Sequence, residues 1–214
     1  LILVLYDNSR MKILTAGINY LVQMHIGVAF LTIAFIWVST VQGSYDFTAI
    51  QSFLSKPEAR WVYWLFLIGF GAKAGFIPLH SWLPHAHPAA PSHVSGVMSG
   101  VIVKMGVYGI MRMIAYLNTG LVLAGGIILI ISVGTAFYGI LNAAIHRDFK
   151  RILAFCTIEN IGIVGMGLGI GMIGKGIGEH QIMFLGFSAA LLHTLNHSLY
   201  KSLLFFAAGN IYRF

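Results

Sequence analysis

His193, His197 and Lys201 repeat at intervals of four residues near the end of a 214-residue chain. On an α-helix each such step turns about 400°, so the three share one face and span about 12 Å of axis. Histidine exchanges protons near neutral pH, and a lysine held away from water gives up its proton more readily than one in solution. The spacing therefore predicts a ladder of groups that take up and release protons, directly or through bridging water. The plainer reading of the same spacing is three hydrogen-bonded packing residues.

Three more ionisable residues stand inside long apolar runs: Lys73, Lys104 and Glu159. Lys73 is twelve residues past Trp61, and Lys104 twelve past Ser92. Each offset is about 18 Å along a helix, near the middle of a hydrocarbon core about 30 Å thick. A charge there costs about 2.5–3.5 kcal/mol on the insertion scale if it faces lipid. These side chains must therefore face protein or water. Glu159 is the single acid among them and cannot neutralise three lysines. Acidic partners must lie elsewhere, or some lysines must be neutral part of the time.

The elements that position these groups follow from the apolar runs. Hydrophobic side chains make up 58% of the chain and charged ones 9%, against about a quarter charged in a soluble domain. That deficit excludes a soluble enzyme, a disordered tail and a nucleic-acid-binding domain, despite the formal charge of +7. No strand alternation is present, which argues against a membrane barrel. The fold class expected is all-α, a polytopic transmembrane bundle forming one membrane domain over 1–214. Its spans are expected at 13–41, 61–80, 92–117, 121–144, 152–173 and 182–208. Gly43 to Arg60 reads as a polar loop with room for a short interfacial helix.

Four of the five prolines lie between Pro78 and Pro91, so regular helix is expected to fail there. Pro78 lacks an N–H, which removes the usual partner of the Ala74 carbonyl, and Gly75 loosens the same turn. A discontinuous helix is expected at Gly75–Pro78, directly after Lys73. Freed backbone groups at membrane depth are tolerated inside protein or along a wet cavity, and broken helices recur at transporter ion sites. The glycines from Gly162 to Gly178 read as a flexible helix end and as close helix packing.

Loop charges give an orientation. The side that precedes the first span holds Arg10, Lys12, Arg147, Lys150, Arg151 and Arg213; the other holds Lys56, Arg60, Arg112 and Lys175. The denser side, with the Arg147–Arg151 loop, is expected to be cytoplasmic. The chain opens on Leu1 within an apolar run and stops at Phe214 after another, so an internal piece of a larger membrane protein is expected.

Several tempting motifs lack their context. Gly169–Gly174 spells GxGxxG and Gly169–Lys175 spells GxxxxGK, but an apolar helix precedes them and Gly176 stands where a phosphate loop needs Ser or Thr. His80, His85 and His87 come without cysteine and are interrupted by proline, which argues against a metal site. His25 is read as a satisfied interhelical hydrogen bond. Its pairing with His193 or His197 across a haem is the remaining cofactor option. Cys156 is read as a small buried hydrophobe.

Three ordered blocks carry a family resemblance. The run AKAGFIPLHSWLPHAHPAAPSHVSGVMSGVIVKMGVYGIMR, Ala72 to Arg112, resembles the signature region of the antiporter-like membrane subunits. That family comprises proton-pumping subunits of respiratory complex I, the large Mrp-type cation/proton antiporter subunits and the membrane subunits of energy-converting hydrogenases. HRDFKRILAFCTIENIGIVGMG, His146 to Gly167, and LLHTLNHSLYKSLLFFAAGNIY, Leu191 to Tyr212, resemble its next two blocks. The spellings PHAHPAAPSHVSG and IENIG look most like the branch of hydrogenase-4 component B and formate hydrogenlyase subunit 3.

The resemblance implies roles. Lys73 matches the central proton-binding lysine of the family's discontinuous seventh helix, and Lys104 the lysine of the eighth. His193, His197 and Lys201 match the eleventh helix, part of a lateral hydrated axis. It implies a glutamate on the fifth helix, paired with Lys73 and lying just before Leu1, and a lysine or glutamate on the twelfth past Phe214. The expected function is a proton-translocating subunit of a hydrogenase or NADH-dehydrogenase-like complex in the inner membrane. A proton would pass from Lys73 to Lys104 and on toward the histidines and Lys201. Glu159 counts among the relay groups. Iron–sulfur, flavin or nickel centres are expected in partner membrane and peripheral subunits, with no cofactor in this chain. The alternative is an Mrp-type secondary Na⁺ or K⁺/proton antiporter subunit. A membrane enzyme or haem carrier built on the histidines is a third.

Overall fold

The computed structural model describes residues 4, 5, 11–56 and 59–212. Arg10, Pro57, Glu58 and Arg213 lie outside the described residues. The described chain runs α1 (Met11–Gln42), α2 (Phe47–Leu54), α3 (Arg60–Ala74), α4 (Trp82–Ala89), α5 (Ser92–Val97), a π-turn (Met98–Ile102), α6 (Val103–Tyr116), α7 (Leu121–Ile145), α8 (Phe149–Ile177) and α9 (His180–Ile211). No strand occurs among the described residues, and the architecture is an all-α helix bundle. Five stretches are long and apolar enough to cross a membrane: α1, α5 through α6, α7, α8 and α9. The helix from Trp61 is apolar but shorter.

That shortness is the helix break. The apolar run expected over 61–80 stops as helix at Ala74, because Gly75 takes a left-handed conformation with φ +87°, which only glycine adopts without strain. The N–H groups of Gly75 and Phe76 both bond to the Gly71 carbonyl, at 2.8 and 3.1 Å. The Ala72 carbonyl thereby loses its helical donor and receives the Trp82 indole Nε1–H at 3.0 Å. The Ile77 N–H donates to Thr135 Oγ1 on α7, at 3.3 Å. Side chains of α4 and α7 thus take over the backbone groups that the break releases.

Two expectations need correction. Regular helix does not fail throughout the proline segment: α4 forms there and contains Pro84 and Pro88. Pro84 falls in the first turn, where an N–H has no intrahelical partner anyway. Pro88 costs one bond, four residues after Pro84, just before α4 ends. The glycines of Gly162–Gly178 do not end the helix early, and the close packing also expected of them is present. α8 continues to Ile177, and the link to α9 is Gly178 at φ +80° with Glu179. These glycines let neighbouring helices approach closely. A Cβ at Gly171 would sit 2.7 Å from the Phe187 ring, and one at Gly162 2.5 Å from the Ala136 backbone nitrogen.

Cross-helix bonds sort the helix ends. Lys150 Nζ donates to the Ala90 carbonyl at 3.0 Å, and Tyr212 Oη–H donates to Asp148 Oδ2 at 3.2 Å. These put the α4, α8 and α9 termini at one end. Lys175 Nζ donates to the Leu117 carbonyl at 3.0 Å at the other. Asp148 caps α8 by accepting the Arg151 N–H at 2.7 Å, a contact that fixes where the α7–α8 hairpin turns. The polar loop carries α2, as expected, with Ile50, Phe53 and Leu54 buried.

α3 and α6 meet backbone to backbone. A Cβ at Gly106 would lie 2.6 Å from the Ala74 nitrogen and the Phe70 oxygen, whereas one at Gly126 meets nothing within 4 Å. Gly106→Val should destabilise the bundle by about 1–3 kcal/mol, read as a lower melting temperature in detergent. Gly126→Ala should leave it unchanged or raise stability by about 0.4–1 kcal/mol. Equal melting temperatures for the two variants would contradict this packing.

Candidate functional site

The π-turn builds the site. Val103 N–H reaches back five residues to the Met98 carbonyl. Passing from five-residue to four-residue backbonding skips one carbonyl. Counted from Val103, the skipped carbonyl is that of Ser99, and Lys104 Nζ lies 2.5 Å from its oxygen. Lys104 Nζ also lies 2.6 Å from Nδ1 of His197 on α9. A charged ammonium only donates, so beside it Nδ1 accepts and the proton of a neutral ring sits on Nε2. Among the described residues that Nε2 is buried without a hydrogen-bond partner.

α9 lies against this segment through serine and glycine. Ser198 Oγ–H donates to the Gly100 carbonyl at 2.5 Å, and Ser202 Oγ, whose hydrogen goes to the Ser198 carbonyl at 2.9 Å, lies 3.4 Å from the Gly96 carbonyl. Gly96 and Gly100 admit the approach because a Cβ at Gly100 would collide with the Ser202 hydroxyl. The approach seats His197, which is fully buried. His193 and His197, on one face of α9, stack with centroids 6.3 Å apart and an interplanar angle of 10°. One turn further on, Lys201 is 1% exposed and donates to the Leu153 carbonyl at 3.0 Å.

The structure thus joins Lys104 to His197 and stacks His193 on it, with Lys201 next on the same helix. It does not join Lys73 or Glu159 to them. Lys73 is half-buried in the last turn of α3, beside Gly75, and among the described residues no hydrogen bond links it to Lys104. Glu159 is half-buried on α8 and likewise makes no hydrogen bond to the lysines among the described residues. His25 corrects an expectation: its Nδ1 meets the Leu21 carbonyl of its own helix at 2.8 Å, on an exposed face. His85 similarly meets Ser81, whereas His87 is fully buried and stacks on Phe205 at 4.7 Å. His80 meets the Tyr138 ring edge-on with centroids 4.7 Å apart, so the three proline-segment histidines have different neighbours.

Sequence reasoning missed Asn160, Tyr200, Ser99 and Thr157. Asn160 Oδ1 lies 2.8 Å from His193 Nε2 and 2.6 Å from Tyr200 Oη. Ser99 and Thr157 pair their hydroxyls at 2.9 Å. The available signal was position: Thr157 and Asn160, three apart, are polar residues on the buried face of an apolar helix.

Fold and site together define a multi-pass membrane protein with ionisable groups buried between its helices. The chain belongs to the NADH:quinone oxidoreductase/Mrp antiporter transmembrane family, which it matches over residues 1–213. It is 44% identical over 203 residues to hydrogenase-4 component B of Escherichia coli, covering 92% of this chain and 30% of that protein. It is 38% identical over 156 residues to formate hydrogenlyase subunit 3 of the same organism, covering 73% and 26%. Among solved structures, a chain of the Mrp complex from Dietzia superposes with a TM-score of 0.82 at 24% identity, over 94% of this chain and 36% of that one. The chain spans about a third of the length of these relatives.

The lysine partners make a stability prediction. Removing Lys201 leaves the Leu153 carbonyl still accepting the Thr157 hydroxyl at 2.9 Å. Removing Lys104 strands the Ser99 carbonyl and His197 Nδ1. Lys104→Met should therefore cost about 1–3 kcal/mol, whereas Lys201→Met should cost less, because the acceptor it leaves keeps a donor. Denaturant titration of the two variants checks this, and a larger loss for Lys201→Met would mark that lysine as structural.

Proposed function

We propose that this chain is the proton-translocating region of a membrane subunit in a hydrogenase or NADH-dehydrogenase-like respiratory complex. Redox chemistry would reside in partner subunits carrying iron–sulfur clusters, flavin or nickel. The names of the relatives support the assembly. The contact of Lys104 Nζ with His197 Nδ1 supports the activity, because it is a donor–acceptor pair through which a proton can move with no side-chain rearrangement. In this reading Lys73, at the helix break, passes a proton to Lys104. His197, His193, Lys201 and Glu159 carry or tune it further. The subunit would lie in the inner membrane with the Arg147–Arg151 loop in the cytoplasm.

The chemistry of the groups favours protons over metal cations in the alternative antiporter role. Hard cations take shells of oxygen ligands, but Lys104 and His197 present an ammonium and a ring nitrogen. Lys73→Ala in the complete subunit should abolish redox-driven acidification of proteoliposomes, with the complex still assembled on native gels. Normal pumping by that variant would sink the relay. Pumping that fails when sodium and potassium are replaced by choline would favour the antiporter.

A further inference from the structure

Asn160 is 8% exposed, and each polar atom of its side chain has a defined job. Its Nδ2 lies 2.7 Å from the Cys156 carbonyl. A carbonyl oxygen only accepts, so the amide nitrogen must face it, and this fixes the orientation of the whole amide. The other end, facing His193 and Tyr200, is therefore the oxygen. An amide oxygen only accepts, through two lone pairs. Tyr200 Oη–H supplies one hydrogen at 2.6 Å, and His193 Nε2 must supply the other at 2.8 Å. The proton of neutral His193 accordingly sits on Nε2, and its lone pair sits on Nδ1.

We infer that Asn160 is a positioning residue that holds His193 in the Nε2–H tautomer and makes Nδ1 the single point of proton exchange on that ring. The consequence for transfer is directional. A proton arriving at His193 forms an N–H bond at Nδ1 and gives the imidazolium. To leave through the far side, the Nε2–H bond would have to break toward Asn160 Oδ1, and an amide oxygen is far too weak a base to take that proton. The same Nδ1–H bond must break instead, returning the proton to the side it came from. His193 then serves as a closed end, whereas His197 meets Lys104 through Nδ1 and has no amide oxygen fixed on its Nε2. Tyr200, donating into the same oxygen, keeps the second lone pair occupied.

This inference rests on the proton-transfer reading above but is measured separately from it. The complete subunit, in its assembled complex and in liposomes, is labelled with ¹⁵N-histidine, and His193 is assigned from the difference spectrum of His193→Gln. Solid-state NMR should show wild-type His193 protonated at Nε2 and bare at Nδ1. Tyr200→Phe should keep that signature, since Asn160 Oδ1 still accepts. Asn160→Asp should keep it too, because an oxygen remains in place. Asn160→Leu should lose the pure Nε2–H signature and, because His193 can then release protons through its far nitrogen and divert them from the path, lower coupled proton transport by at least about tenfold. Wild-type His193 protonated at Nδ1 would overturn the assignment even if Asn160→Leu does not fold. An unchanged tautomer in Asn160→Leu, or a changed tautomer with normal transport, would overturn the positioning role. The predicted tautomers in a wild-type complex that moves no protons would instead sink the transport reading and leave the assignment of Asn160 intact.

Discussion

No backbone polar group can be left bare in hydrocarbon, and among the described residues this bundle departs from regular α-helix at Gly75 and at the π-turn, both within apolar stretches. Each break recruits specific side chains. At Gly75 the Trp82 indole takes the Ala72 carbonyl and Thr135 takes the Ile77 N–H. At the π-turn Lys104 takes the Ser99 carbonyl. The second recruitment matters more for function, because the residue recruited is ionisable. A carbonyl that helix geometry skipped anchors an ammonium group next to His197. Close helix approach through Gly96 and Gly100, with Ser198 and Ser202 facing them, then sets the distance between the two.

The partners of these lysines are neutral. Lys104 meets a carbonyl and a ring nitrogen, and Lys201 meets a carbonyl. A buried ion pair holds its charges in place, since neutralising either partner strands the other. A carbonyl accepts from an ammonium and from a neutral amine alike. Both protonation states of such a lysine can then keep the same contact, which suits a group that must gain and lose a proton in place. Asn160 contributes in a similar way, since an amide orients its neighbours without competing for protons.

Much of this was legible from residue types and spacing. The apolar runs placed α1, α7, α8 and α9 to within a few residues, since burial in lipid leaves a long unbroken signature. The break after Lys73 followed from Gly75 and Pro78. The i, i+4, i+8 spacing put His193, His197 and Lys201 on one face. What stayed hidden depends on contacts between helices. The π-turn has no compositional mark: Met98–Ile102 reads as ordinary apolar helix. Asn160 gains its role from residues thirty-three and forty positions away, and such separations carry no local pattern. The glycines of α8 were ambiguous in sequence because glycine both loosens a free helix and tightens a packed one, and only the neighbours decide.

The contact between Lys104 and His197 is where proton transfer stands or falls. Its most direct measurement is the protonation of His197 during turnover, by infrared difference spectroscopy on the ring-labelled complex. A transient imidazolium at His197 should appear with each redox-driven cycle and vanish in Lys104→Met. A His197 that stays neutral throughout a cycle that still pumps protons would contradict it.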